Sequence, residues 1–226
     1  MPRHPAKSGA DRSQKWIQVA VNDAAVLLNE RIANVLCCTD DRTITWFSPL
    51  SEDDYAEYSD GEFLELLGLA KHKQRLADFW PSRGPHWDAL GRTESGRIVL
   101  VEAKAYIAEL LSGGSDASVR SLDRIRCALI ETRMSLGVGN HNDWDGEFFQ
   151  AANRSAYLYF LRDLCKEEAF LVYVCFVNAP DVPKPATEAQ WQGALELLDA
   201  YLGASNHRLK RFKTAVFINP LEELHV

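Results

Sequence analysis

One stretch limits the fold more than any other: RIVLVEAK, residues 97–104, an apolar strand that ends on a carboxylate and a lysine. Strand side chains alternate, so Ile98, Leu100, Glu102 and Lys104 share one face, and Val99, Val101 and Ala103 the other. Apolar strands do not usually finish on charges that point back toward the core. Upstream, HWDAL (His86–Leu90) reaches this strand through the turn-rich GRTESG, which is the pattern of a β-hairpin. A turn centred near Ser95 pairs residues symmetric about it and sets Asp88 opposite Glu102. Directly opposed strand residues hold their Cβ atoms about 4.5–5.5 Å apart, where like charges repel. Two carboxylates kept together need a cation. Lys104 supplies one positive charge, and a divalent metal would supply the rest.

The elements around the hairpin follow from periodicity. Apolar residues at helical spacing from Arg12 to Leu36 predict one long amphipathic helix. RTITWF (Arg42–Phe47) alternates as a strand, ended by Pro49. GEFLELLGL predicts a short helix with Asp60 as its N-cap. Leu76–Trp80 reads as a short strand stopped by PSRGP. Helices follow over Val119–Met134 and Glu147–Cys165, with AFLVYVCFV between them and the C-terminal region as a buried strand. Thr187 and Gln190 form a capping-box start for a helix reaching about Leu202. TAVFI is a last strand. This order predicts an α/β (α+β) domain with a central mixed β-sheet flanked by helices.

Composition sets outer limits. The chain has 226 residues, 46% of them hydrophobic, which suits a single domain with a sizeable core. We expect a polar, poorly ordered lead over residues 1–15 and one domain over 16–226, with its core at about 60–178. No apolar run approaches a membrane span, and MPRHPAKSGADRSQK has no signal-peptide stretch, so cytoplasmic residence is expected. The five cysteines are odd in number and lack zinc-site spacing, so they read as core thiols. The net charge of −7 equals the seven carboxylates between Ser51 and Glu65, leaving the remainder neutral. That balance argues against a protein held on nucleic acid by its overall field. KHKQR (Lys71–Arg75) and HRLKRFK (His207–Lys213) are local basic patches that either contact phosphates or form solvated faces. There is no phosphate-binding glycine loop and no nucleophile elbow.

Asp88, the EAK of Glu102–Lys104, their fourteen-residue separation, and the hairpin followed by helices and a further strand resemble the PD-(D/E)XK nuclease superfamily. The resemblance implies the restriction-endonuclease-like fold and a metal-dependent nuclease using Mg²⁺ (or Mn²⁺). Asp88 and Glu102 would be metal ligands, the Ala103 backbone carbonyl a third, and Lys104 the catalytic lysine. One departure is that PHWD (Pro85–Asp88) stands where the family has PD. The family often adds a glutamate from its first core helix; Glu65 is chosen over Glu62 as the deeper of the two, unless both are simply exposed. Gln150, Arg154 and Tyr157 form one stripe of a helix. That stripe either reaches the phosphate or the lysine, or marks a solvent-to-core boundary. Glu109 is a supporting or a surface glutamate, and His86 a base or a turn-edge residue. HNDWD (His141–Asp145) has metal-capable groups without fixed spacing, and the tryptophans read as packing.

The expected substrate is nucleic acid, DNA before RNA, with no membrane partner; a homodimer is compatible with the sequence. Two rivals stand beside this. One is a non-catalytic nucleic-acid-binding or assembly protein on the same fold. The other is a metal-dependent enzyme acting on a different phosphorylated or small substrate.

Overall fold

Two uninterrupted apolar runs decide the architecture. AFLVYVCF and IVLVEAK each form a strand buried at every position. Strands without a solvated face belong in the middle of a sheet covered on both sides. In the computed structural model, residues 3–4 (backbone only), 10–36, 41–139 and 143–224 are described. Cys37, Cys38, His141 and most of the N-terminal lead lie outside the described residues.

In chain order the elements are β1 (Arg3–His4), α1 (Arg12–Asn22), α2 (Ala25–Leu36), β2 (Ile44–Ser48), β3 (Glu57–Tyr58), α3 (Asp60–Leu66), α4 (Lys73–Phe79), β4 (Ala89–Thr93), β5 (Ile98–Lys104), α5 (Val119–Leu136), α6 (Phe149–Tyr159), β6 (Ala169–Phe176), α7 (Glu188–Tyr201), β7 (Lys213–Ile218) and α8 (Pro220–Glu223). The main sheet has the order β2-β4-β5-β6-β7. β4 pairs antiparallel with both β2 and β5, while β5, β6 and β7 are mutually parallel. β1 and β3 form a separate two-residue antiparallel pair.

The period-two reading of β5 separates the two cores as expected. Ile98 and Leu100 join Leu90, Leu171 and Tyr173 in the larger core, under the helices from α3 to α7. Val99, Val101 and Ala103 join Ala89, Val172 and Val174 in the other, under α1 and α2. Fully buried Trp87, Trp144 and Trp191 anchor the larger core, and burying side chains of this size contributes about 2–3 kcal/mol each. Trp191 also donates to the Phe176 carbonyl and Trp144 to the Leu202 carbonyl. The expected capping box of Thr187 and Gln190 opens α7.

Several expectations are corrected. The first helix is two helices, broken after Asn22. The amide of Asn22 donates to the carbonyls of Gln18 and Pro49 and accepts from Ser51 N–H, pinning the break to the end of β2. Leu76–Trp80 is not a strand but lies in and just after α4, with Leu76 and Phe79 facing the core. Asp60 does not cap α3. Ser59 holds that position, and the Asp60 carboxylate instead accepts from Arg83 and Gly84 N–H at 2.9 and 2.8 Å. The helix begun at Phe149 widens into a π-helical turn at Phe160–Leu164. Cys165 and Cys175 are buried thiols as expected, but Cys127 is exposed.

Both basic patches are spent on intramolecular work. Lys71 and His72 meet Glu167, each at 2.8 Å, and Arg75 donates to the Leu164 carbonyl. Arg208 pairs with Asp163, and Lys210 and Lys213 with Asp199. In HNDWD, Asp145 is bound by Arg126 at 2.6 Å and Asp143 accepts from Asp145 N–H.

Candidate active site

The hairpin turn closes locally. Gly96 donates to the Thr93 carbonyl from φ +86°, a backbone region that glycine enters without steric cost. Buried Asp41 clamps the same turn, accepting from Ser95 N–H at 2.9 Å, from Ser95 Oγ at 2.6 Å and from Arg97 at 2.6 Å. From there the register runs Arg92 to Ile98, Gly91 to Val99, Leu90 to Leu100 and Ala89 to Val101. One step further, Asp88 stands across from the end of β5, and its Oδ2 accepts from Ala103 N–H at 2.7 Å.

Glu102 is 1% exposed and Lys104 7%. Lys104 Nζ donates to Glu102 Oε1, and Arg154 Nε, from α6, donates to Glu102 Oε2. Both oxygens of one buried carboxylate are therefore held by cations. Arg154 is fixed in turn: it donates to the His86 carbonyl at 2.7 Å and to Asn153 Oδ1 at 3.0 Å, and its guanidinium lies 4.8 Å from the centre of the Trp87 ring. It ties the end of β5, the segment before β4 and α6 into one unit.

The protonation states diverge. Burial, and then the Glu102 charge, push the Asp88 carboxyl up to about 8; Lys104 and the Ala103 N–H only partly oppose this. Burial would raise Glu102 as well, but Arg154 and then Lys104 outweigh it and hold that carboxyl below its ordinary value. Burial would lower Lys104, but Glu102 and then Asp88 reverse the direction and hold it up. Two neighbouring carboxylates thus differ because the cations side with one of them.

The sequence stripe does not act as a unit. Arg154 reaches Glu102. Tyr157 does not reach the lysine: its fully buried ring packs edge-on to Trp87 and Trp80, and its hydroxyl points at Gly84. Gln150 gives its backbone N–H to Ser112 Oγ, and its side chain makes no hydrogen bond among the described residues. Glu65 is exposed and paired with Lys73, so it is not brought to the site; Glu62 is the more buried of the two. Glu109 caps the end of β5, accepting from Ala105 N–H at 2.6 Å. His86 contributes its carbonyl oxygen. Sequence reasoning misses Trp87 as the seat of Arg154, Asn153 as its brace, and Tyr173, set beside Glu102 by the parallel register. The signal for Asn153 lies in AANRSA: a helix this rich in small residues is buried on all sides, so its polar groups find protein partners.

Among the described residues no group of three or more His, Cys, Asp or Glu side chains is placed to hold a metal. Asp88 and Glu102 are two. Asp88 Oδ1 makes no hydrogen bond among the described residues. The N–H and C=O of one strand residue point to the same side, so the Ala103 carbonyl faces the Asp88 side too. Two carboxylates and a backbone oxygen fit a hard divalent cation that retains waters, as Mg²⁺ does. Glu102 would join such a set only by exchanging one of its two bound cations. No protein-family model, curated protein or solved structure matches the chain. Among the described residues no helix is long and apolar enough to cross a membrane.

Proposed function

We propose that the protein is a metal-dependent nuclease of the restriction-endonuclease-like, PD-(D/E)XK type, hydrolysing phosphodiester bonds, in DNA before RNA. The observation that carries the reading is the buried constellation at the end of the hairpin: Asp88 held on the Ala103 N–H, with Glu102 beside it bonded to Lys104 and Arg154. A strand-edge ion pair does not need the aspartate.

Asp88, Glu102 and the Ala103 carbonyl would hold Mg²⁺ or Mn²⁺, which when bound neutralises the phosphodiester and acidifies a water. The protein's own contributions can be assigned. Asp88 would have to lose its proton to solvent to serve as a ligand. Arg154 keeps Glu102 oriented while Lys104 leaves it. The freed ammonium then serves the attacking water or the charge developing on the phosphate oxygens.

One observation favours the rival reading of a binding protein that does not cut: Glu102 already has both oxygens occupied. A single panel separates the two. Purified protein is incubated with single- and double-stranded DNA and RNA in Mg²⁺, Mn²⁺ or chelator, beside Lys104→Ala and Asp88→Ala. The nuclease reading expects metal-dependent cleavage that both substitutions abolish in folded protein. Cleavage retained in both variants, or none in the parent with either metal, removes it.

A further inference from the structure

A cleft of about 530 Å³ opens beside the candidate site. Its walls include Trp80, Arg83, Ser118, Ser121, Phe149 and Asn153. Resting on the nuclease reading above, we propose that this cleft holds a nucleotide of an unpaired strand and so directs the site toward single-stranded nucleic acid.

Three observations converge. Asn153 is 7% exposed, and its oxygen is taken by Arg154. Its amide nitrogen makes no hydrogen bond among the described residues, which leaves a donor pair at the wall of the cleft. Such a donor, nearly withdrawn from water, suits a phosphate or base acceptor. The Trp80 and Phe149 rings stack at 6.5 Å and 24°, and Phe149 is partly exposed. Trp80 is itself 3% exposed and backs Phe149, whose ring is the flat surface on which a base would stack irrespective of its identity. The opposite wall is the start of the eighteen-residue α5, where Ser118 caps the Ser121 N–H. Its remaining first-turn N–H groups favour an anion, and Arg83, which also lines the cleft, has no ion-pair partner among the described residues and offsets the one lining carboxylate, Asp116.

The size argues for one strand. The volume falls in the range of single small-ligand pockets rather than of a duplex groove. The position argues for this site: Pro85 lines the cleft and the next carbonyl, of His86, receives Arg154, while Asn153 braces the same arginine. A strand seated here lies against Asn153, which braces the arginine that orients Glu102.

The test is fluorescence anisotropy with the full chain, in chelator so that nothing is cut, using a labelled oligothymidylate and a duplex of equal length. Asn153→Asp keeps the oxygen that Arg154 needs and replaces the free donor with an acceptor; single-strand affinity should fall about tenfold or more. Arg83→Gln, on an exposed loop, should weaken binding and, by leaving one phosphate without its cation, lower the slope of log K against log salt by about 0.7. The parent should prefer the single strand. Parent-like affinity in both variants, or equal binding of duplex, overturns the cleft assignment. Lys104→Ala keeps the two questions apart. If the parent cuts and the cleft variants bind normally, the cleft falls and the nuclease stands. If the parent never cuts yet these variants lose single-strand binding, the nuclease falls and the cleft stands.

Discussion

Asp88 offers the sharpest test of the site because its predicted effect on folding has a sign and a slope. A carboxyl that titrates at about 8, against 3.8 for an unconstrained aspartate, binds a proton in the folded state across an interval where the unfolded chain has lost it. The stability this contributes is fully present below the unfolded value and is lost as pH rises through the folded one, at about 1.4 kcal/mol per pH unit. By pH 7 the loss is roughly 4 kcal/mol if Asp88 is fully desolvated. The side chain is half-buried, and water at its open oxygen reduces the expected loss to about 2–4 kcal/mol. Asp88→Asn keeps an oxygen for the Ala103 N–H and removes the ionisation. Urea unfolding of both proteins between about pH 5 and pH 9 should therefore diverge, the variant becoming the more stable as pH rises. Mg²⁺ at about a hundred times its Kd should return about 2.7 kcal/mol to the parent and little to the variant. A difference between the two proteins that stays flat from pH 5 to pH 9 would refute the reasoning, because it would mean that neither burial nor the Glu102 charge holds the Asp88 carboxyl up.

Three further outcomes are expected. Arg154→Met leaves Glu102 with Lys104 alone, and removing one partner of a buried ion pair costs about 3–5 kcal/mol. Arg154→Lys should recover only part of it, since a point charge cannot serve Glu102, His86 and Asn153 together; equal urea midpoints for parent and Arg154→Met would sink this. Asp41 is held below its ordinary value because hydrogen bonds from Ser95, Thr93 and Arg97 outweigh burial. The stability it contributes is present above the unfolded value and lost as pH falls. Asp41→Asn should thus cost about 1.5–3 kcal/mol at neutral pH and little near pH 3, and a loss that is the same at both would count against the clamp. A Cβ at Gly84 would lie 2.2 Å from the Tyr157 hydroxyl, so Gly84→Ala should cost about 1–3 kcal/mol. Tyr157→Phe, which removes a buried hydroxyl with no hydrogen-bond partner among the described residues, should be near neutral and should relieve most of the Gly84→Ala cost. Strict additivity in that double-mutant cycle would contradict the packing.

What the sequence discloses and what it hides divide along the range of the forces involved. The hairpin register, the two faces of β5 and the capping box of α7 depend on turn chemistry and period two, which act over a few residues, and all three are legible. The break after Asn22 is not, because its cause lies 27 and 29 residues away at Pro49 and Ser51. Leu76–Trp80 is too short for alternation to be told from one turn of an amphipathic helix. Glu65 is favoured by its depth in an apolar run, but α3 buries Phe63 and Leu64, and a helix turning about 100° per residue carries Glu65 away from them. The stripe of Gln150, Arg154 and Tyr157 fails for a different reason. Every residue of α6 from Ala151 to Tyr159 is buried, so the helix has no solvent side against which a stripe can be defined. Its residues serve different neighbours: Arg154 faces the carboxylate, while Tyr157 faces the aromatic cluster.

The acidity of the whole chain is the strongest sequence argument against a polyanionic substrate, and the site answers it locally. Near neutral pH, Glu102 carries one negative charge, Lys104 and Arg154 carry one positive charge each, and Asp88 is largely neutral. The two cations that bind Glu102 thus outnumber the one carboxylate they bind. Of the carboxylates between Ser51 and Glu65 that account for the chain's net charge, Glu57 is near enough to act on Asp88, while any that lie beyond a Debye length of about 8–10 Å are screened; the buried cations act through a medium that screens them little. On the nuclease reading, the Lys104 and Arg154 charges would offset that local acidity for a phosphate approaching the end of β5. The proton on Asp88 then has a functional meaning as well as an energetic one. On the nuclease reading, it would keep a carboxylate pair from repelling the substrate and would pass to solvent when a divalent cation bound. Net charge summed along a sequence cannot register this, because the protonation state of Asp88 is set by Glu102 and by burial.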